Sequence, residues 1–393
     1  MDEQTWVIST KDLQIGTVLS FDLLDATGNV LHKAGMPISE RLKERLHSNG
    51  IDSVSIRGRS EAAPDQINSV LAESFDPALL KELTQTIKSN QSLVQNSISL
   101  LLQNKPLDGR VLEAGSERFV ECASKDVAAA LSTLVTTEGA ADAETIEAMS
   151  LRASRLSLLA VSTALTQGQS ESFAISVGLA ALLHDSSLAL APKLYEKAFQ
   201  GNLSAQEIEQ YRNHPMDSMD LLRRSPGVSE RMLEIISQVH EQADGSGYPL
   251  GLRVSETKYE ATILNAADTY LALTDSRYHK RFVHSDALLY LIANASRGRY
   301  CPKAVQAMIK SMSVFPIGSV VILDDDSKAV VIRSNSDAPA KPIVRLLSSG
   351  HTRVDLQESK RTIVAPFVDP LSGYHRLPKS EMSNLLWGLP VAA

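Results

Sequence analysis

Residues 240–249 read HEQADGSGYP, and this stretch decides the fold of the block around it. Taken alone, it predicts a tight turn, because its glycines permit positive φ and its proline ends a helix. Its histidine and acidic side chains are also of the types that bind metal ions. Its meaning therefore depends on the polar residues that precede and follow it.

Further polar residues flank this stretch, within segments whose apolar pattern is mostly helical. His184 and Asp185 follow an apolar run that ends at Leu183, which predicts a buried helix end, and His214 lies with a proline at a turn after a helix. Asp268 lies inside an apolar segment, where a carboxylate is unfavourable without a cation. Each element alone is most simply a cap or a turn. The ordered combination instead predicts that imidazole and carboxylate groups hold a metal.

In their order, these residues resemble the HD-GYP family, a group within the HD phosphohydrolases. The family pattern is a His-Asp pair, then His-Pro, then a segment that residues 240–249 match almost completely, then an aspartate that Asp268 matches. Arg277 and Lys280 match the basic segment that follows. The resemblance covers about residues 140–312, and it implies an HD-type domain that hydrolyses cyclic di-GMP with metal-activated water.

The resemblance also implies a role for each matched residue. Asp185 would be the catalytic residue, because in the family it bridges two metals and orients hydroxide. Tyr248, Arg277 and Lys280 would bind the substrate. The cofactors would be one or two divalent ions of Fe, Mn, Zn, Ni or Mg. The metal ligands that remain from the family pattern are His184, Asp185, His214, His240 and Asp268.

Three positions depart from the family pattern. Met149 aligns with an early histidine ligand, Leu188 with a lysine and Val239 with the first of two histidines. A thioether is a poor ligand for a hard phosphohydrolase metal, and valine cannot coordinate one. The missing lysine removes a positive charge near the phosphates. The two centres would keep three ligands each, His184, Asp185 and Asp268 in one and Asp185, His214 and His240 in the other.

Two functions from different classes follow from this site. The first is a metal-dependent cyclic di-GMP phosphodiesterase of bacterial signalling, slow or dependent on the metal supplied. The second is a catalytically inactive module that binds cyclic di-GMP or another protein. Expected partners are cyclic di-GMP, a signalling protein such as a diguanylate cyclase, and a second copy of the chain.

The predicted fold is mainly α. An all-helical HD-type phosphohydrolase domain is flanked by a small N-terminal α+β module and a small C-terminal β-rich module. The predicted segments are residues 1–57 (N-terminal module), 58–109 (linker and helix), 110–312 (helical domain), 313–370 (β-rich domain) and 371–393 (mobile tail).

The composition of the chain narrows the classes of partner and the compartment in which it is expected. The chain has 393 residues with a net charge of -7, which argues against a general nucleic-acid surface. Its two cysteines are too few for a disulfide framework, and they favour a reducing compartment. No apolar run approaches 18 residues, so no membrane span is expected. The predicted location is cytoplasmic.

Overall fold

The computed structural model describes residues 4–10, 13, 15, 22–33, 36, 38–58, 64–137, 143–275, 277, 281–347 and 352–367. These residues divide into two compact units. One extends to Pro64, and the other runs from Asp65 to Phe367. The predicted mobile tail, residues 371–393, lies outside the described residues.

The first unit is the predicted α+β module. Its elements are β1 (Gln4–Ser9), β2 (Leu23–Leu24), β3 (Val30–His32), α1 (Glu40–Ser48) and β4 (Ser53–Gly58). The antiparallel sheet has the order β1-β4-β2-β3. Helix α1 begins after Ser39, whose side chain accepts a hydrogen bond from the Leu42 backbone N–H. Leu42 and Leu46 then pack in the core of the module.

The second unit is mostly helical, as predicted. Its helices are α2 (Pro64–Ser74), α3 (Pro77–Leu102), α4 (Gly109–Lys125), α5 (Val127–Thr136), α6 (Thr145–Thr166), α7 (Glu171–Leu183), α8 (Pro192–Phe199), α9 (Ala205–Leu222), α10 (Glu230–Ser237), α11 (Tyr259–Thr274), α12 (His284–Ser296) and α13 (Pro302–Met312). A short 3-10 helix, Leu188–Leu190, follows the turn after α7.

Residues 58–76, predicted to be a linker with little apolar periodicity, are partly helical. Helix α2 covers most of residues 58–76, and its Val70 and Leu71 are fully buried. Ile67, Val70 and Leu71 have helical spacing, but one turn of apolar residues in a polar stretch is a short pattern, and burial of Val70 and Leu71 stabilises the helix. The expected boundaries of the domains stay predictions.

Helices α6 and α7 form the centre of the second unit. Nearly every residue of α6 from Ala148 to Ala164 is buried, so this helix has no solvent face. Residues 171–190, which include α7, are apolar and long enough to pass a test for a membrane span, contrary to the sequence expectation. Because 61% of the apolar window is buried inside the fold, this is weak support for a span.

The predicted β-rich module follows the helices. It contains β5 (Val320–Leu323), β6 (Lys328–Arg333), β7 (Ile343–Leu346), β8 (Arg353–Asp355) and β9 (Ile363–Pro366). The sheet is antiparallel with the order β8-β7-β6-β5-β9. Val321, Val331, Val344 and Leu356 lie in its core.

Asp126 joins this module to the helices. Its carboxylate accepts from the backbone N–H groups of Ala128 and Ala129 at 3.0 and 3.1 Å, and from both Nη atoms of Arg333 at 3.0 and 2.5 Å. It is therefore both the N-cap of α5 and half of an ion pair with β6. Burial opposes its ionisation, but these bonds hold the pKa of Asp126 below its ordinary value.

Asp126→Ala should lower the free energy of unfolding by about 1–2 kcal/mol, because a cap and an ion pair are lost together. A carboxylate whose pKa is lower in the folded state stabilises the fold above the unfolded pKa, and this contribution is lost as pH falls. The difference from the unsubstituted protein should therefore shrink below about pH 4. Urea unfolding from pH 7 to 3 measures it. Arg333→Met keeps the helix cap and should lose less stability than Asp126→Ala. If the stability difference between Asp126→Ala and the unsubstituted protein does not change with pH, the lowered pKa assigned to Asp126 is contradicted.

Candidate metal centre

The turn after α7 carries the first two site residues. The His184 backbone N–H donates to Ala180 O at 2.9 Å, which ends the helix, and Asp185 follows in the turn. Ser187 fixes the turn against α9, because its Oγ donates to His214 O at 2.9 Å and its N–H donates to Ser218 Oγ at 3.0 Å. The polar end of α7 is thereby held against the helix that carries His214.

Asp185, His214 and His240 meet in one group. Their ligand atoms all lie within 4.8 Å of one another. His214 Nε2 lies 3.4 Å from Asp185 Oδ1 and 3.1 Å from His240 Nε2. His214 Nδ1 lies 2.6 Å from Tyr211 O, so this nitrogen donates to the carbonyl and leaves Nε2 as the ligand atom. Chain segments 26 or more residues apart thus supply one compact ligand set.

His184 and Asp268 lie beside this group. His184 Nε2 is 3.3 Å from Asp185 Oδ1 and 3.6 Å from Asp268 Oδ1, and both His184 and Asp268 are almost fully buried. Asp268 already has a cation, because Arg152 Nη1 donates to its Oδ1 at 2.7 Å and Arg152 Nη2 donates to its backbone O at 2.9 Å. The sequence reasoning did not identify Arg152.

The pKa values of two histidines in the site are shifted in opposite directions. Burial opposes protonation of His184, but Asp185 and Asp268 raise its pKa to about 10. Burial opposes ionisation of Asp185, but His184 and His214 hold the pKa of Asp185 well below its ordinary value. Burial, and then repulsion from His214, lowers the pKa of His240 to about 3. A neutral His240 beside an ionised Asp185 has the protonation states of metal ligands.

The loop of residues 241–252 supports His240 from the other side. Glu241 is buried, and its two oxygens accept from the backbone N–H groups of Leu250 and Leu252 at 2.7 and 2.8 Å. The Tyr248 N–H donates to His240 O at 3.1 Å, and the Tyr248 ring stacks on His240 with centroids 5.0 Å apart. The segment that resembles the family motif therefore positions one aromatic ring against one ligand.

Part of the chain is similar to a known domain family and to named proteins. Residues 142–304 match the model of the HD domain family. This segment is an HD domain. A cyclic di-GMP phosphodiesterase of Pseudomonas aeruginosa is 27% identical over 182 residues, which are 46% of this chain and 43% of that protein. A cyclic di-GMP phosphodiesterase response regulator of Xanthomonas campestris is 32% identical over 163 residues, 40% of this chain and 41% of that protein.

The matches to the family model and to these relatives support assignment to the HD-GYP group. The chain spans less than half the length of either relative. A solved structure from Bdellovibrio bacteriovorus, described as an HDG"Y"P protein, superposes with a TM-score of 0.49 at 15% identity. That superposition covers 78% of this chain and 98% of the other.

The three departures from the family pattern are buried in the HD domain. Met149 is 5% exposed and lines a cavity together with Asp185, so it lies near the ligand group. Leu188 and Val239 are each 1% exposed. Apolar side chains thus fill positions where the family pattern has two imidazoles and an ammonium.

The predicted substrate-binding residues have different surroundings. Tyr248 lies at the ligand group, and its buried OH makes no hydrogen bond to the described residues. Arg277 instead forms an internal ion pair, with Nε and Nη2 donating to the two Asp275 oxygens at 3.1 and 2.8 Å. Its guanidinium also lies 4.8 Å from the ring centroid of Phe199. Lys280 lies outside the described residues.

The residues of the ligand group fit a divalent ion. Two imidazoles and a carboxylate are a donor set that suits Mn, Fe, Zn and related metals. His184 Nε2 and Tyr248 OH are both buried without a well-formed hydrogen bond, although polar groups in a protein interior normally have a partner. His184 Nε2 lies beside the Asp185 and Asp268 carboxylates, and the Tyr248 ring stacks on His240, so both residues border the group that would hold the ion.

Gly247 is required by the close packing of the loop. A Cβ atom at this position would clash with the backbone nitrogen of Gln242 and with the backbone of Glu241. Gly247→Ala should therefore displace the loop, lower stability by about 1–3 kcal/mol and weaken Mn²⁺ binding about tenfold or more. Gly168→Ala is a control for lost stability alone, since its positive φ strains an alanine but open space surrounds it, and it should leave Mn²⁺ affinity unchanged. Thermal unfolding and Mn²⁺ titration compare them, and unchanged Mn²⁺ affinity in Gly247→Ala would be evidence against this role of the loop.

Proposed function

We propose that the HD domain is a metal-dependent phosphodiesterase that hydrolyses cyclic di-GMP in bacterial second-messenger signalling. The observation that carries this proposal is the group formed by Asp185, His214 and His240, whose ligand atoms lie within 4.8 Å of one another. The names of the related proteins supply the substrate class. A divalent ion bound here would polarise a phosphate oxygen and make water a stronger nucleophile at neutral pH.

The chain's own residues would have distinct tasks in that reaction. Asp185 is 19% exposed and faces both His184 and His214, so its carboxylate would bind the ion and accept a hydrogen bond from the attacking water. His214 and His240 would fix the position of the ion, His214 through its bond to Tyr211 O and His240 through its stack on Tyr248. The Tyr248 OH is available to donate to a phosphate oxygen.

A second candidate is a domain that binds cyclic di-GMP without hydrolysing it. The observation that favours it is the burial of Met149, Leu188 and Val239 where the family pattern has polar groups. Removing one preorganised charge or donor lowers a rate by about 10²–10³-fold. Binding of a dinucleotide depends on many contacts, so its affinity is less sensitive than the hydrolysis rate to the loss of one group. The domain could therefore bind cyclic di-GMP without hydrolysing it.

The deciding experiment uses the purified full chain with cyclic di-GMP and Mn²⁺ or Fe²⁺ supplied in turn. Chromatography detects the linear dinucleotide and GMP, and calorimetry measures binding under the same conditions. Product formed only with metal supports the phosphodiesterase. Binding without product supports the second candidate. If the chain neither binds cyclic di-GMP nor forms product, both candidate functions are excluded.

We also propose the setting in which this domain works. The donor set is suited to Fe, Mn, Zn or Ni and is less suited to Mg, which prefers all-oxygen sites. A cytoplasmic location, association with a diguanylate cyclase and formation of a homodimer remain part of the proposal. Sedimentation with and without cyclic di-GMP tests the dimer directly.

A further inference from the structure

Arg152 places a permanent positive charge inside the candidate metal centre. This residue lies on the buried helix α6 and is 3% exposed. Its two bonds to the Asp268 carboxylate and backbone carbonyl hold the guanidinium in one orientation. The Phe199 ring lies 5.6 Å from its central carbon. Because a guanidinium does not deprotonate in a protein, this charge cannot be removed when a metal binds.

The Asp268 carboxylate is thereby less available to a metal than the Asp185 carboxylate. One of its oxygens is committed to Arg152 at 2.7 Å, and a divalent ion bound there would lie close to a buried guanidinium. Repulsion between two cations is strong in such an environment, because little water screens it. The family scheme would place one metal between His184, Asp185 and Asp268, and Met149 supplies no fourth ligand to it.

On the opposite side of Asp185, no arginine or lysine of the described residues forms an ion pair with its carboxylate. In the part of the chain that the structure describes, the ion pairs of Asp185 are with His184 and His214. His240 Nε2 lies 3.1 Å from His214 Nε2, a hydrogen-bond distance, so a cation could take the place of the proton that the two nitrogens share. The side of Asp185 that carries His214 and His240 therefore has ligands for an ion and, among the described residues, no arginine or lysine paired with the Asp185 carboxylate to repel it.

We infer that the centre is mononuclear, with one divalent cation bound by Asp185, His214 and His240 and with the Arg152 guanidinium in place of a second cation at Asp268. The inference rests on the proposed metal-dependent function and specifies the number of ions. His184 is then a positioning residue, since its Nδ1 is 3.0 Å from Ala181 O and its Nε2 lies between the two aspartates.

Manganese titration of the full chain tests this directly. The chain is stripped with a chelator and titrated with Mn²⁺, and elemental analysis and electron paramagnetic resonance measure the number of bound ions and their coupling. One Mn²⁺ per chain with the six-line spectrum of an isolated ion is expected. Two ions per chain with a spin-coupled spectrum would overturn the inference and leave the proposed function intact.

Other outcomes separate the inference from the proposed function. One bound ion without hydrolysis of cyclic di-GMP supports the mononuclear site and contradicts the phosphodiesterase. No uptake of Mn²⁺ overturns the mononuclear site, and hydrolysis measured in parallel with Fe²⁺ shows whether the function fails as well.

Two variants locate the ion. His214→Ala should weaken Mn²⁺ binding by about 100-fold, since one of three protein ligands is lost. The double variant Arg152→Met/Asp268→Leu removes both charges of the buried pair and should still bind one Mn²⁺, with an affinity within about tenfold of the unsubstituted chain. Circular dichroism confirms that it folds. A folded double variant that binds no Mn²⁺ would show that Asp268 is a ligand. If the double variant does not fold, the number of Mn²⁺ ions bound by the unsubstituted chain tests the inference.

Discussion

Asp185→Asn is expected to lower the rate of cyclic di-GMP hydrolysis by about 10²–10³-fold and to abolish tight binding of Mn²⁺. The amide has nearly the same shape as the carboxylate but carries no charge, so packing is retained while the anionic ligand is lost. Asp185 is the one carboxylate in the group that it forms with His214 and His240. Without it, two imidazoles remain, and they cannot balance the charge of a divalent ion.

Metal-dependent stabilisation separates loss of binding from loss of folding. An ion that binds only the folded state raises stability by about 2.7 kcal/mol at 100 times its dissociation constant. The unsubstituted protein should therefore melt at a higher temperature with Mn²⁺, and Asp185→Asn should not. Asp220→Asn is the matched control, because it removes a carboxylate that is 70% exposed on helix α9. If Asp185→Asn hydrolyses at the unsubstituted rate, the assignment of the catalytic residue is wrong.

The order of short motifs predicted most of the centre. The turn predicted at His214 is wrong, because His214 and Pro215 lie inside helix α9. A fold that brings together the end of α7, the interior of α9 and the segment after α10 still explains why His184, His214 and His240 occur in this order. The structure brings Asp185, His214 and His240 within ligand distance, although whether they bind metal stays a prediction. The helical class of this domain and the two flanking sheets were also predictable, since apolar periodicity reports which side chains face a core.

Partners that form over long separations were not predictable. Arg152 and Asp268 are 116 residues apart, and a single chain does not show which buried cation meets which buried anion. A signal existed, because an arginine within the apolar helix α6 must be paired if it is buried. Arg277 is a different case, because its partner Asp275 is only two residues away, and the family resemblance assigned Arg277 to the substrate and not to this neighbour.

Arg152→Met is expected to lower the free energy of unfolding by about 3–5 kcal/mol in metal-free buffer, because it leaves the Asp268 carboxylate buried without its main cation. Methionine fills a similar volume, so the loss should come from charge and not from a cavity. Urea unfolding measures it. Exposed pairs behave differently, and Arg110→Met, which breaks the exposed pair with Asp108, should change stability little.

The double variant Arg152→Met/Asp268→Leu should recover most of the stability that Arg152→Met loses. A buried ion pair contributes little net stability when two apolar side chains of similar size replace it, because burying two charges is itself unfavourable. The large effect of the single variant is therefore the penalty of one unpaired charge, and it should disappear when Asp268 is also neutral. The single variant Asp268→Leu completes the comparison. If the stability losses of Arg152→Met and Asp268→Leu simply add in the double variant, then Arg152 and Asp268 are not coupled. In that case the Arg152 guanidinium cannot act as the second cation of this centre.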